Sequence, residues 1–230
     1  MASSSRKSSR APDPDHLCLR PRHVVGSGHI YLPKLPSAAV FTPTEEEFAN
    51  FPSYVARIAE EAKTFGICKV VPPASWQGPT SAPPSDSFTL KSAIRQHTTG
   101  TQGVFTMVHQ EKDTKTSYHA FAKQAATYAA RENVAPGASL DALEEKFWNE
   151  VTTASAPLYG ADIDGSFFTH DVTAWNLNTL PDLLRTGPAR LKQRMSGINT
   201  PMLYFGGFRT TFCMHVEDMD LVSASMQAFT

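Results

Sequence analysis

Apolar residues along the chain fall into short periodic runs, separated by breaks rich in proline, serine and glycine, and the periods predict both helices and strands. Phe48, Phe51, Val55, Ile58 and Ala62 recur at intervals of three and four, which predicts an amphipathic helix opening near Thr44. Thr44 and Glu47 have capping-box spacing, and Glu45, Glu46 and Glu47 place negative charge at the positive end of the helix dipole. Gly66 to Val71 then reads as a strand, stopped by Pro72-Pro73. Val104 to Val108 is β-prone, Ser117 to Arg131 is alanine-rich and helical, and Leu140 to Val151 predicts a further helix with Phe147 as its core anchor. Near the end, Met202 to Phe205 is a short apolar strand. Gly206-Gly207 is expected to form a tight turn with positive φ, and Phe208 to Val216 a return strand.

Breaks in the pattern divide the chain. Residues 1–39 are expected to be a disordered tail, since serine, arginine and five prolines interrupt any period. Lys7 and Arg10 among serines fit a nuclear import signal or a simple solvated tail. Residues 40–82 form a first folded unit that ends in a Pro/Ser linker, 83–168 a mixed α/β region, and 169–230 a last unit. The net charge of −1 gives no bulk electrostatic reason to expect sequence-specific nucleic-acid binding. Three widely spaced cysteines (Cys18, Cys68, Cys213) make no disulfide framework and no paired zinc element. No apolar run reaches the roughly 18 residues of a membrane span.

Chemistry enters at the expected return strand. Alternation puts Cys213, His215 and Glu217 on one face and Phe212, Met214 and Val216 on the other. An imidazole and a carboxylate on one face can converge on a metal ion. With a distant second histidine they make the 2-His-1-carboxylate triad of non-haem Fe(II) oxygenases. The spacing occurs twice, however, at His109-Gln-Glu111 and at His215-Val-Glu217. A partly buried histidine beside a solvated acid accounts for either pair, so spacing alone selects no metal site.

Longer stretches are more specific. Phe41-x-Pro-Thr-x-Glu-Glu-Phe-x-Asn-Phe51 is followed by Gly66-x-x-Lys-Val-Val-Pro-Pro-x-x-Trp76, and Pro157-Leu-Tyr-Gly-Ala-Asp-Ile-Asp-Gly-Ser-Phe-Phe168 by Trp175-Asn-Leu177. Asn199-Thr-Pro-x-Leu-Tyr-Phe-Gly206 and Thr210-Thr-Phe-x-x-His-x-Glu-Asp-Met-Asp-Leu221 complete the set. Together these resemble the JmjN–JmjC histone lysine demethylases, nearest the class acting on lysines 9 and 36 of histone H3.

The resemblance implies an α+β fold: a JmjN helix–strand unit and a helical linker packed on an incomplete double-stranded β-helix, the jelly-roll or cupin-like JmjC barrel. It implies an Fe(II)- and 2-oxoglutarate-dependent dioxygenase that demethylates histone H3 tails in nuclear chromatin. His215 and Glu217 would be metal ligands, Tyr159 would bind the far carboxylate of 2-oxoglutarate, and Tyr204 with the Gly197 carbonyl would line the methyl-ammonium pocket. Two departures follow. Ser225 stands where the family has a cosubstrate asparagine. The sequence also stops at Thr230, ahead of the family positions for the third ligand, a cosubstrate lysine and a structural zinc site. The 230-residue chain is therefore expected to be a fragment or short isoform that is inactive alone, with zinc only in a full-length version. The alternative is a non-catalytic truncated paralogue that binds chromatin or a partner protein.

Overall fold

The computed structural model describes residues 20–23, 29–32, 38–79, 84–85, 88–91, 93–112, 115–188 and 190–227. In chain order the elements are β1 (Arg20–His23), β2 (His29–Leu32), β3 (Ala39–Phe41), α1 (Glu45–Ala49), α2 (Phe51–Lys63) and β4 (Cys68–Val70). There follow β5 (Thr89–Leu90), β6 (Ala93–Thr101), β7 (Val104–Lys112), β8 (Thr116–Ser117), α3 (Tyr118–Arg131) and α4 (Leu140–Asn149). The chain closes with β9 (Leu158–Asp164), α5 (Leu183–Thr186) and β10 (Met202–Phe205). Helix and sheet are mixed, as expected. The main sheet has four strands in the order β10-β9-β6-β7, and no closed barrel forms among the described residues. The tail that was expected to be disordered includes an antiparallel pair, β1 with β2.

The predicted capping box is present. The Thr44 hydroxyl accepts from the Glu47 backbone N–H at 3.3 Å, and the Thr44 N–H donates to the Glu47 carboxylate at 2.9 Å. The single helix expected from the apolar period is instead two. Pro52 sits in the first turn of α2, where its missing N–H costs nothing to α2 but ends α1. Asn50 caps the second helix by accepting from the Ser53 N–H at 3.1 Å. As a result the apolar stripe is redistributed: Phe48, Tyr54 and Ile58 are buried, while Phe51 is only half-buried.

Pro52 has a second consequence. It leaves the Phe48 carbonyl without its i+4 donor, and the Trp175 indole N–H fills that vacancy at 2.8 Å. Trp175 also stacks on Phe48 with centroids 4.9 Å apart and an interplanar angle of 3°, and meets Phe51 edge-on at 4.8 Å. Trp76 joins from the segment after β4, contacting Phe48 edge-on at 5.5 Å and donating to the Ala174 carbonyl at 3.0 Å. The N-terminal helix unit is thereby fastened to residues 168–176, 98 to 127 positions further on.

A second core lies under the sheet. Leu90, Ala93, Phe121, Leu158 and Ile163 are buried together, with Phe88, Tyr118, Leu203 and Phe205 packed against them. Gly160 of β9 is required by this packing, because a Cβ there would lie 2.4 Å from Leu90 Cδ2. The β6–β7 hairpin turns through Gln102 and Gly103, both at positive φ (54° and 79°), as a two-residue primed turn demands. The predicted α4 is present from Leu140, but it buries no residue fully. Phe147 is half-buried and packs edge-on against Trp148 at 4.9 Å, so it is not a deep anchor.

Two outcomes are expected. Trp175→Phe keeps an aromatic ring on Phe48 but strands a carbonyl, and should cost about 1–3 kcal/mol. Trp175→Ala should cost about 3 kcal/mol or more, because ring packing goes too. Urea denaturation midpoints distinguish the two. Glu47 is the second case: its hydrogen bond from Arg57, then that from the Thr44 N–H, hold its carboxyl at about 2. The folded value lies below the unfolded one, about 4.3. Its stabilising contribution is thus complete above the unfolded value and is lost as pH falls from there towards 2. Glu47→Gln should flatten that part of a melting-temperature profile.

Candidate functional site

The site is built on the antiparallel pair β9–β10. Met202 faces Asp164, Leu203 faces Ile163 and Phe205 faces Gly160, so the register slips by one between Leu203 and Phe205. The extra residue is on β9, where Asp162 adopts positive φ (54°), a conformation that Asp tolerates better than most residues. The bulge brings the Asp162 carboxylate to Tyr204, whose hydroxyl donates to Oδ1 at 2.9 Å. Tyr159, one turn of the pleat back, has its ring 6.3 Å from that of Tyr204.

The two phenols differ. Tyr159 is buried, with no hydrogen bond to its hydroxyl among the described residues, and burial raises its pKa, with the Asp162 charge adding. Tyr204 is half open to solvent but shifted further up, by desolvation first, then by its bond to Asp162, with smaller contributions from Tyr159 and Glu217. Both phenols stay protonated at physiological pH.

The segment after β10 departs from expectation. No strand forms between Phe208 and Val216, and Gly206 and Gly207 do not take positive φ. The turn is one step later, over residues 207–210. There the Thr210 hydroxyl donates to the Gly207 carbonyl at 2.8 Å, and Arg209 takes the left-handed conformation (φ 70°). A strand requires a neighbouring backbone, and a side chain stands in for one. Buried Gln96 on β6 donates from its amide to the Thr211 carbonyl at 2.7 Å and accepts the Thr211 N–H at 3.0 Å. Arg209 adds a second tether by donating to the Val151 carbonyl at 3.1 Å, its guanidinium lying over the Phe147 ring. Past Thr211 the chain runs in the open, with Phe212, Met214 and Val216 each more than 70% exposed.

His215 and Glu217 nevertheless meet. The His215 Nδ1–H donates to the Cys213 carbonyl at 2.7 Å, which leaves Nε2 as the basic nitrogen, and Nε2 lies 3.8 Å from Glu217 Oε2. Among the described residues no group of three or more His, Cys, Asp and Glu side chains could hold a metal ion. The other His-x-Glu pair serves the sheet: His109 and Glu111 lie on β7, and His109 Nε2 is 3.5 Å from the Gln96 amide.

Tyr159 and Tyr204 are therefore neighbours, and the Glu217 charge is felt at Tyr204. Gly197 is placed differently, in the turn between Met195 and Thr200, with positive φ (76°) and its N–H on the Thr200 carbonyl at 3.2 Å. That turn reaches β9 through Ser196, whose hydroxyl donates to Asp164 Oδ1 at 2.6 Å. Asp162, Gln96 and Arg209 were not anticipated. Asp162 had a visible signal, an αL-tolerant residue inside an otherwise apolar strand; Gln96 and Arg209 act through contacts 115 and 58 positions away, which no local pattern encodes.

A jmjN domain matches residues 39–72, the unit from β3 to just past β4. The chain is 36% identical over 199 residues to lysine-specific demethylase 4B of Mus musculus, covering 84% of this chain and 18% of that protein. Lysine-specific demethylase 4D of Rattus norvegicus is 34% identical over 84% of this chain and 37% of its own length. The probable lysine-specific demethylase 4F of Homo sapiens is 34% identical over 82% of this chain and 29% of its own length. Over most of its length the chain is thus similar to these lysine-specific demethylases, and it spans less than two fifths of the length of each of them.

The Gln96 clamp generates a test. Gln96→Ala should destabilise the fold by about 1–3 kcal/mol, because it strands the Thr211 N–H and carbonyl. Hydrogen exchange at the Thr211 amide should accelerate in the variant. Unchanged exchange there would show that the segment is held by something else.

Proposed function

We propose that this chain carries part of the catalytic centre of an Fe(II)- and 2-oxoglutarate-dependent lysine demethylase acting on methylated histone H3 in nuclear chromatin. The observation that supports it is the pairing of His215 Nε2, with its tautomer set by the Cys213 carbonyl, and Glu217 Oε2 at 3.8 Å. His215 and Glu217 would hold the ion, since imidazole with carboxylate is a donor set that suits Fe(II). The ion, with 2-oxoglutarate as electron donor, would activate dioxygen as the oxidant; the residues described here bind and orient. A third protein ligand is needed for the facial triad, and the described residues supply two.

Within this reading Tyr159 offers an uncommitted phenol to the far carboxylate of 2-oxoglutarate. Tyr204, kept neutral and oriented by Asp162, presents an oxygen dipole and a ring face to a methyl-ammonium group. The Gly197 carbonyl would contribute from the Met195–Thr200 turn. β9, β10 and the extended segment beyond them would be the opening strands of a JmjC barrel. The partner-binding reading also has an observation behind it: Phe212, Met214, Val216, Met219 and Val222 are all exposed and call for a covering surface.

The decisive measurement is formaldehyde release from a trimethylated histone H3 peptide, with Fe(II) and 2-oxoglutarate supplied. The 230-residue chain alone should show none. The same chain joined to the portion of the mouse demethylase that follows its matching region should turn over, and His215→Ala in that fusion should abolish turnover. Robust release by the chain alone would place a third ligand within it. A folded but inactive fusion would implicate Ser225 and favour the partner-binding reading.

A further inference from the structure

A second concave site is independent of the chemistry above. A cleft of about 280 Å³ lies between α3 and the β6–β9 pair, lined by Arg95, Lys123, Gln124, Thr127, Tyr128, Arg131 and Leu158. Leu158 and Tyr159 are successive on β9, so they address opposite faces of the sheet, and the cleft is on the face away from Tyr159. Its floor is apolar: Leu158 and the Tyr128 ring are both buried.

The walls carry three cations and little to neutralise them. Arg95 is fixed by one bond, Nη1 to the Ala156 carbonyl at 3.2 Å, and makes no ion pair among the described residues. Lys123 has no partner for its ammonium among the described residues. Arg131 alone meets a carboxylate, with Nε 3.4 Å from Glu132 Oε1; it also donates to the Ser155 hydroxyl, and its guanidinium lies over the Tyr128 ring at 5.4 Å. A chain of net charge −1 thus brings three cations to one small apolar floor, and two of them, Arg95 and Lys123, have no ion pair among the described residues.

The spacing narrows what can fit. Lys123, Thr127 and Arg131 follow one another at four-residue steps along one face of α3, so the backbone positions of the two cations are about 12 Å apart, with Arg95 also lining the cleft. An extended peptide rises about 3.3 Å per residue, so two carboxylates about four residues apart would reach both ends of the face. A residue between them would then lie over Leu158 and Tyr128. We propose that this cleft docks an extended acidic peptide segment, with an apolar side chain seated between its carboxylates.

The test uses the 230-residue chain and fluorescence polarisation. The probe is a short fluorescein-labelled peptide with glutamates flanking a central phenylalanine. Binding should weaken with added salt. It should weaken about tenfold or more in the Lys123→Glu/Arg131→Glu double variant. Replacing the probe's glutamates by lysines, or its phenylalanine by serine, should also weaken it. Lys123→Glu alone guards against misfolding of the double variant, because the Lys123 ammonium has no hydrogen bond or ion pair among the described residues to lose; it should still weaken binding, with an unchanged circular dichroism melt. Equal binding by the charge-reversed chain would overturn the proposal. So would tighter binding of a labelled single-stranded oligonucleotide than of the peptide, which would assign the cleft to a phosphate backbone.

Discussion

The fold depends on a backbone vacancy. Helix α1 ends because Pro52 has no hydrogen to give to the Phe48 carbonyl, and a carbonyl in a half-buried position without a donor is unfavourable. Trp175, from a distant segment, supplies the missing N–H and in the same contact stacks its indole on the Phe48 ring. One residue thus satisfies the polar need of the jmjN unit and covers its apolar stripe. Trp175 sits at positive φ (56°), a conformation a bulky residue adopts only when its surroundings over-determine it, and here they do. Asn176, next in the chain, is buried with its amide on the Thr169 and Val172 carbonyls at 2.9 and 2.8 Å, which holds the loop that presents the indole.

Strand β9 stands between that anchor and the chemistry. Its N-terminal end pairs with β6 through Leu158 and Tyr159, and its later residues pair with β10. Tyr159 and Asp162 are therefore on the best-buried strand of the molecule, and β10, at the sheet edge, receives its position from β9. The bulge at Asp162 turns this rigidity to use, since a regular ladder would not direct that carboxylate at Tyr204. The next segment has weaker support. It rests on Gln96, whose amide offers one donor and one acceptor and so imitates a single rung of a β-ladder, and on Arg209.

How much of this could be read from the chain differs by element. The capping box at Thr44 and Glu47 and the strand Met202–Phe205 were legible because each is fixed by residues within a few positions. The break at Pro52 was written in the chain too, but the apolar period runs through it and masks it. The expected return strand failed for another reason. Alternation from Phe212 to Val216 describes a surface suited to pairing, not a pair, and no described strand lies beside it. Tyr159 lies between Pro157 and Gly160, residues that signal a break, yet it is in a buried strand because the β6 pairing overrides them. The Tyr159, Tyr204 and His215–Glu217 positions came from resemblance, which encodes long-range contacts that periodicity cannot.

The open run after Thr211 bears on both readings of function at once. Phe212, Met214, Val216, Met219 and Val222 expose apolar surface that is costly to leave in water, and His215 and Glu217 sit among them. A metal centre there would be wet as it stands, and among the described residues the backbone carrying His215 and Glu217 is tethered to the sheet only up to Thr211. Oxidative chemistry at a methyl group needs water excluded and ligands fixed within fractions of an ångström. Whatever covers those five side chains would meet both needs, since it would bury the apolar run, dry the site and hold the His215–Glu217 pair in place. Under the demethylase proposal, covering surface and third ligand would thus be coupled requirements; under the partner-binding reading, the covering surface alone is required.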